Sequence, residues 1–291
     1  MKSDPSIMGN LFASLPSVSS QHARTTALYA LLKTVARNEI ESQFADTDGK
    51  AKAFGPFGEI VFPYFKMGAI DSLDLFGLDE LIIFSYYWAN RAHYRRVADI
   101  GANIGLHSLA LSRCGFEVKA YEPDPKHFGL LKNNLTRNAA DRVQPIMAAV
   151  SKTAGVMEFV RVLGNTTGSH LVGSKPNPYG ELEKFPVQVD AIGPILEWAD
   201  LVKIDAEGHE KEILLATDIQ HWRKCDAMVE VGSEENAKAI FDHFMSIGVN
   251  AFAQKLGWRV VARPEDMPTS YRDGSLFVSR KPVMQWTQET A

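Results

Sequence analysis

The chain has 291 residues, 45% of them hydrophobic and 23% charged, with a formal net charge of −4. That composition is ordinary for a globular protein with its own core, and it lacks the basic excess of a nucleic-acid binder. Two cysteines, Cys114 and Cys225, exclude a framework of several disulfides and a four-cysteine zinc site.

The first residues, Met-Lys-Ser-Asp-Pro-Ser-Ile, lack the apolar core of a signal peptide. The longest apolar stretch, Leu81 to Ala89, is about half of a bilayer span. The expectation is a soluble, cytoplasmic chain with reduced thiols and no membrane partner. Residues 1–20, rich in Ser and Pro, are expected to form a mobile leader. Over 22–44, Leu28, Leu31, Leu32 and Val35 recur at helical spacing and predict an amphipathic helix. It is expected to pack on the main domain, with a lid or a homodimer contact as its other uses. Residues 54–66 carry Gly and Pro between short aromatic runs and predict a hairpin. Together these segments form an N-terminal extension over 1–69.

Residues 70–291 read as one domain. Helical patterns run over 78–92, 105–114, 125–138, 210–216 and 236–247. Strand patterns run over 96–100, 117–122, 143–150, 201–205 and 227–231. The chain closes with strand-like segments near 249–253, 258–262 and 276–279. Strands alternating with helices predict an α/β fold: a mostly parallel sheet with helices on both faces. Over 155–195 the alternation breaks, and loops or a hairpin excursion are expected.

The informative segment is Val97-Ala-Asp-Ile-Gly-Ala-Asn-Ile-Gly-Leu-His-Ser. A small apolar strand runs into Gly101, and a helix starts near Gly105. Ligands of open α/β sheets bind beyond the carboxyl ends of the strands, where glycine admits close approach to the backbone. About 20 residues after the loop, at the next strand end, Glu122 can accept both hydroxyls of a ribose. The spacing is Gly-x-x-x-Gly, so it is neither the dinucleotide Gly-x-Gly-x-x-Gly nor a phosphate-binding P-loop. Asp99 would repel a phosphate and suits an ammonium group. A nucleoside that carries an amino acid and no phosphate meets these conditions, and S-adenosylmethionine is such a molecule.

Asp99-Ile-Gly-Ala-Asn-Ile-Gly, Tyr121-Glu-Pro-Asp-Pro and Lys203-Ile-Asp-Ala-Glu-Gly-His-Glu resemble the FkbM-type methyltransferases, class I enzymes dependent on S-adenosylmethionine. The resemblance covers roughly residues 70–235. It implies a Rossmann-like sheet of seven strands, the last antiparallel, and methylation of hydroxyls on small molecules or sugars. It also implies that Asp99, Gly101, Ala102, Asn103 and Gly105 surround the amino-acid end of the cofactor. Glu122 would hold the ribose, Pro123 would shape the turn beside it, and Ala148 and Ala149 would lie near the adenine.

Methyl transfer to an alcohol needs an in-line nucleophile and a group that takes its proton. Asp205 ends the fourth strand of the alternation, at the crevice. Glu207 and His209 follow on the turn, and these three are the catalytic candidates. Each has a plainer use, as a helix cap or a first-turn acid. Glu210 is expected to complement the helix dipole. Glu230 ends the next strand and could pair with Lys203. With Asp205 it could bind a divalent cation, but Val231-Gly232 follows it and no metal is expected. The expected partner is a small-molecule or glycan acceptor, with no nucleic acid. Two rival readings remain. A nicotinamide oxidoreductase would need Tyr-x-x-x-Lys after the loop, and the match here, Tyr29 with Lys33, lies before it. A catalytically silent nucleoside-binding or scaffold protein of the same fold is the other.

Overall fold

The computed structural model describes residues 6–68, 70–165, 168–174 and 180–286. Much of the Lys175-to-Gly180 loop, and Thr166 and Thr167 between Asn165 and Ser169, lie outside the described residues.

The N-terminal part begins with α1 (Ile7–Ser14) and α2 (Ala27–Phe44). Strands β1 (Lys52–Ala53) and β2 (Glu59–Ile60) pair antiparallel, and α3 (Leu78–Ala89) follows. The expected leader is corrected over its described part. Ser6 accepts a hydrogen bond from the Gly9 amide and caps α1, whose Met8, Leu11 and Phe12 are buried together with Leu15. The spacing of these four is that of one helix face, a signal the small polar residues around them obscure. In α2 the buried face is Tyr29, Ala36, Ile40 and Phe44, while Leu31 is 60% exposed. The expected stripe was rotated because an aromatic pocket selects Phe44, stacked on Phe76 at 4.6 Å. Asp79 at the start of α3 fastens this part, accepting from Arg24 (2.6 Å), Tyr29 (2.9 Å) and Gln254.

The alternating segment follows as β3 (Arg96–Ile100), α4 (Leu106–Arg113), β4 (Glu117–Tyr121), α5 (Pro125–Arg137) and β5 (Val143–Ile146). A second, smaller sheet is then inserted: β6 (Ala149–Ser151), β7 (Gly155–Val162), β8 (His170–Leu171) and β9 (Leu182–Ala191), in the order β6-β9-β7-β8. The expected single strand over 143–150 is therefore two. Ala148 N turns back to donate to Ile146 O at 3.0 Å, and the halves join different sheets. The alternation resumes with α6 (Ile192–Trp198), β10 (Leu201–Ile204), α7 (Glu210–Leu214), β11 (Asp226–Val229), α8 (Glu234–Ile247) and β12 (Asn250–Ala253). It closes with β13 (Arg259–Val260) and β14 (Leu276–Ser279).

The main sheet has the order β13-β12-β14-β11-β10-β3-β4-β5. Strands β11, β10, β3, β4 and β5 are parallel neighbours, and β14 runs antiparallel between β11 and β12. The resemblance implied seven strands; the sheet has eight, because Gly257 at φ +62 turns the chain back and β13 pairs along the edge of β12. Every residue of β10 and β11 is buried, as in a central strand covered on both faces. Alternate residues feed two cores. Val97 and Val118 join the N-terminal helices, α4 and α5, while Ala98, Ile100 and Val202 join α6, α7 and α8. This leaves the carboxyl ends of β3, β4 and β10 as one continuous edge, with the second sheet beside it.

Candidate active site

At the end of β3, Gly101 takes φ +76. Gly101 N and Ala102 N both donate to Tyr121 O, at 3.0 and 2.9 Å, folding the loop over the end of β4. A Cβ on Gly101 would stand 1.8 Å from the carbonyl oxygen of Asp205, so the β3 and β10 turns meet at backbone distance. Gly105, at φ +94, opens α4, and a Cβ there would stand 2.5 Å from Leu131 Cδ1 of α5. Gly101 is thus required by a backbone neighbour, and Gly105 by its left-handed φ. Between them Asn103 is also left-handed, at φ +52. Its N–H donates to Glu122 Oε2 at 2.8 Å.

Glu122 is 5% exposed, and its Oε1 accepts from Asp124 N at 2.8 Å. Burial pushes its carboxyl up to about 8; the Asp124 charge adds to this, and the Asp124 and Asn103 amides oppose it. Asp124 caps α5 through Lys126 N at 2.7 Å and takes both arms of Arg161, at 2.7 and 2.6 Å. Burial would raise Asp124, but Arg161 and the Lys126 amide hold it below the usual carboxylate range.

Beyond Glu122 opens a cleft with about 650 Å³ of empty space, part of it open to solvent. Ala148 and Ala149 line one wall, and Phe159, His170 and Leu171 of the second sheet line another. The β10–α7 turn closes the other end. There Glu207 stands in the left-handed region at φ +52, strained for a non-glycine residue, beside Gly208 at φ +99, and one carboxylate holds the turn. Glu210 accepts from Ala206 N at 2.8 Å and Gly208 N at 3.1 Å. Burial pushes Glu210 up to about 7, against the pull of these amides.

Lys203 is buried on β10. Its Nζ donates to Gly101 O at 3.1 Å and Asp205 Oδ2 at 3.2 Å, and lies 3.8 Å from Asp99 Oδ1. Burial would lower the ammonium, but Asp205, Asp99 and Glu80 outweigh it and raise it. Burial, with the charges of Asp205, Glu80 and Glu207, pushes Glu230 well up. His209 Nε2 meets Ser151 Oγ at 2.8 Å and its Nδ1 meets Ser174 Oγ at 2.9 Å; burial lowers the ring. Asp205, Glu207 and His209 line both the cleft and a wider groove that Glu230 and Tyr271 continue.

The family described as "Methyltransferase FkbM domain" matches residues 99–254, more than half of the chain. The chain belongs to the FkbM methyltransferase family. Among its relatives, the methyltransferase sdnD of Sordaria araneosa is 30% identical, over 43% of this chain and 61% of that protein. The hexuronic acid methyltransferase AglP of Haloferax volcanii is 31% identical, over 40% of this chain and 47% of that protein. The chain thus spans less than two thirds of the length of either relative. Among solved structures, a methyltransferase FkbM from Methylobacillus flagellatus is 14% identical, covers 86% of this chain and 60% of its own, and has a TM-score of 0.38.

Membership of the FkbM methyltransferase family makes S-adenosylmethionine the cofactor, and the cleft fits it. Asn103 Oδ1 is buried beside the loop with no hydrogen-bond partner among the described residues, an acceptor suited to an ammonium donor. The two oxygens of Glu122 each keep a lone pair beyond the one their amide uses. The apolar walls suit a flat base.

Of the residues expected around the cofactor, Gly101, Asn103, Glu122, Pro123, Ala148 and Ala149 line the cleft. Asp99, Ala102 and Gly105 stand behind it. Asp99 is fully buried, accepts from Ser108 Oγ at 2.6 Å and faces Lys203 rather than the cleft. Ala102 packs in the core, and Gly105 packs on Leu131. Sequence reasoning passed over Asp124, Arg161, His170 and the hub role of Lys203. Pro-Asp-Pro marks Asp124 as a helix cap. Nothing local marks Arg161. Among the described residues, no group of three His, Cys, Asp or Glu is arranged to hold a metal, and no helix is long and apolar enough to cross a membrane.

Proposed function

We propose that this chain transfers the methyl group of S-adenosylmethionine to a hydroxyl oxygen of a small molecule or sugar. When bound, the cofactor supplies an electrophilic methyl on a positively charged sulfur. Glu122 would accept the ribose hydroxyls, Asn103 would meet the amino-acid end, and Ala148 and Ala149 would face the adenine. The observation that carries the reading is the position of Asp205. It follows directly on β10 where cleft and groove meet, its side chain is 33% exposed, and Lys203 holds it from behind at 3.2 Å. A carboxylate there can take the proton that an alcohol loses on methylation. Glu207 stands beside it as the second acid. Both ring nitrogens of His209 are engaged, which suits it to holding the turn against the second sheet. The Haloferax relative is named for a hexuronic acid, which supports a sugar among the acceptors.

The test is methyl transfer from labelled S-adenosylmethionine to a panel of polyols and sugars, with Asp205→Asn as the control. Loss of the base is expected to lower turnover by about 10²- to 10⁴-fold, while the affinity for S-adenosylhomocysteine stays within about threefold. Undiminished turnover by Asp205→Asn removes its role. Tight cofactor binding with no acceptor turned over favours a silent binding protein.

A further inference from the structure

The second sheet brings one charged side chain to the cofactor end of the main domain. Arg161 of β7 is 4% exposed. It pairs in register with Glu183 of β9, and Phe185 lies 4.6 Å beneath its guanidinium. Its Nη1 donates to Glu183 at 2.6 Å; Nε and Nη2 donate to the two oxygens of Asp124 at 2.7 and 2.6 Å. Asp124 is 1% exposed, so this is a buried two-armed pair. The amide of the same Asp124 donates to Glu122 Oε1 at 2.8 Å.

The geometry points to Arg161 as a positioning residue for the ribose of the cofactor: gripping Asp124, it aims the Asp124 amide at Glu122 and holds the second sheet against the cleft. This rests on the reading of Glu122 as the ribose acceptor. A fork fixes the plane of its carboxylate partner, which a single point charge does not. With Asp124 fixed, the backbone at 124 is fixed, and one of the two amides that orient Glu122 is fixed with it. The same pair spans the cleft edge, because Phe159 and His170, on the strands paired around Arg161, form its far wall. Without the guanidinium, a buried carboxylate stands uncompensated next to Glu122, and the wall loses its tie.

A merely structural role would weaken every ligand alike, so the test compares two. S-adenosylhomocysteine and its 2′,3′-dideoxy counterpart are titrated calorimetrically into the wild type, Arg161→Lys, Arg161→Met and Glu183→Gln. Unfolding curves show which variants are folded. The wild type is expected to prefer the hydroxylated ligand by about 10- to 100-fold, the worth of hydrogen bonds to a charged group. Arg161→Met is expected to reduce that preference to about threefold or less, and Arg161→Lys, which keeps charge without the fork, to an intermediate value. Affinity for the dideoxy ligand is expected to stay within about threefold in each. Glu183→Gln, which leaves the Asp124 fork intact, is expected to keep the full preference. A folded Arg161→Lys or Arg161→Met that keeps the wild-type preference overturns the inference. So does a folded variant that loses both ligands equally. If Arg161→Met does not fold, Arg161→Lys decides alone, and failure of both to fold makes Arg161 a fold residue and refutes the positioning role. If the wild type binds S-adenosylhomocysteine without preferring it to the dideoxy ligand, the ribose reading of Glu122 fails instead.

Discussion

Cofactor binding is expected to release a proton from Glu122. Without ligand, burial holds this carboxyl at about 8, against 4.5 for an ordinary glutamate. At pH 7 about nine molecules in ten therefore carry the proton. Ribose hydroxyls donate hydrogen bonds, so the bound state favours the ionised form. Deprotonation at pH 7 then costs about 1.4 kcal/mol, or about tenfold in Kd, and the cost vanishes by about pH 9. Calorimetric titration of S-adenosylhomocysteine in two buffers of contrasting ionisation heat gives the proton count directly. About 0.9 proton is expected to leave at pH 7, with affinity rising about tenfold to pH 9. Glu122→Gln keeps the shape and removes the titration, which separates Glu122 from the ligand's own ammonium. Its affinity is expected to fall by about 10- to 100-fold. Identical proton counts for wild type and variant would refute the reasoning.

Two further outcomes follow from the same geometry. Glu122 and Glu210 are raised in the folded state to about 8 and about 7, above 4.5, so the native chain holds their protons more tightly than the unfolded chain does. Their contribution to stability is complete below about pH 4.5 and is lost as pH rises through about 7 and 8. Urea unfolding of the ligand-free protein between pH 5 and 9 checks this, and Glu210→Gln is expected to flatten its share of the slope. Gly101→Ala places a methyl 1.8 Å from the Asp205 carbonyl at φ +76. The left-handed backbone costs about 1–2 kcal/mol and the overlap about 1–3 more, so a loss of about 2–5 kcal/mol is expected in urea unfolding. A change below about 0.5 kcal/mol would show that the β3 and β10 turns do not meet as described.

Most of the main sheet was legible because its signals are local. Arg96–Ile100, Leu201–Ile204 and Leu276–Ser279 are short, mostly apolar segments, and each forms a strand where expected. The glycine loop was legible for the same reason, since Gly101 and Gly105 mark backbone that other residues adopt at a cost. The second sheet was legible only as a hairpin excursion over 155–195, not as a sheet of four strands. Leu182–Ala191 carries Lys184 and Pro186 within its ten residues and reads as weak strand until β6 and β7 flank it. The eighth strand, Arg259–Val260, falls within the strand-like segment expected near 258–262, and only the resemblance, which implied seven strands, left it out.

Read alone, the amino-acid order determined most helices and strands of the main sheet, the glycine turn and the acid at the next strand end, since these depend on neighbours within a few residues. Tertiary structure decided which of the marked residues face the cleft. It placed Asp99 behind the loop against Lys203, brought Ser151 and Ser174 to the two nitrogens of His209, and joined Arg161 to Asp124 across a sequence separation of 37 residues. Such contacts are set by how separate elements pack, and a one-dimensional pattern carries no term for the distance between them.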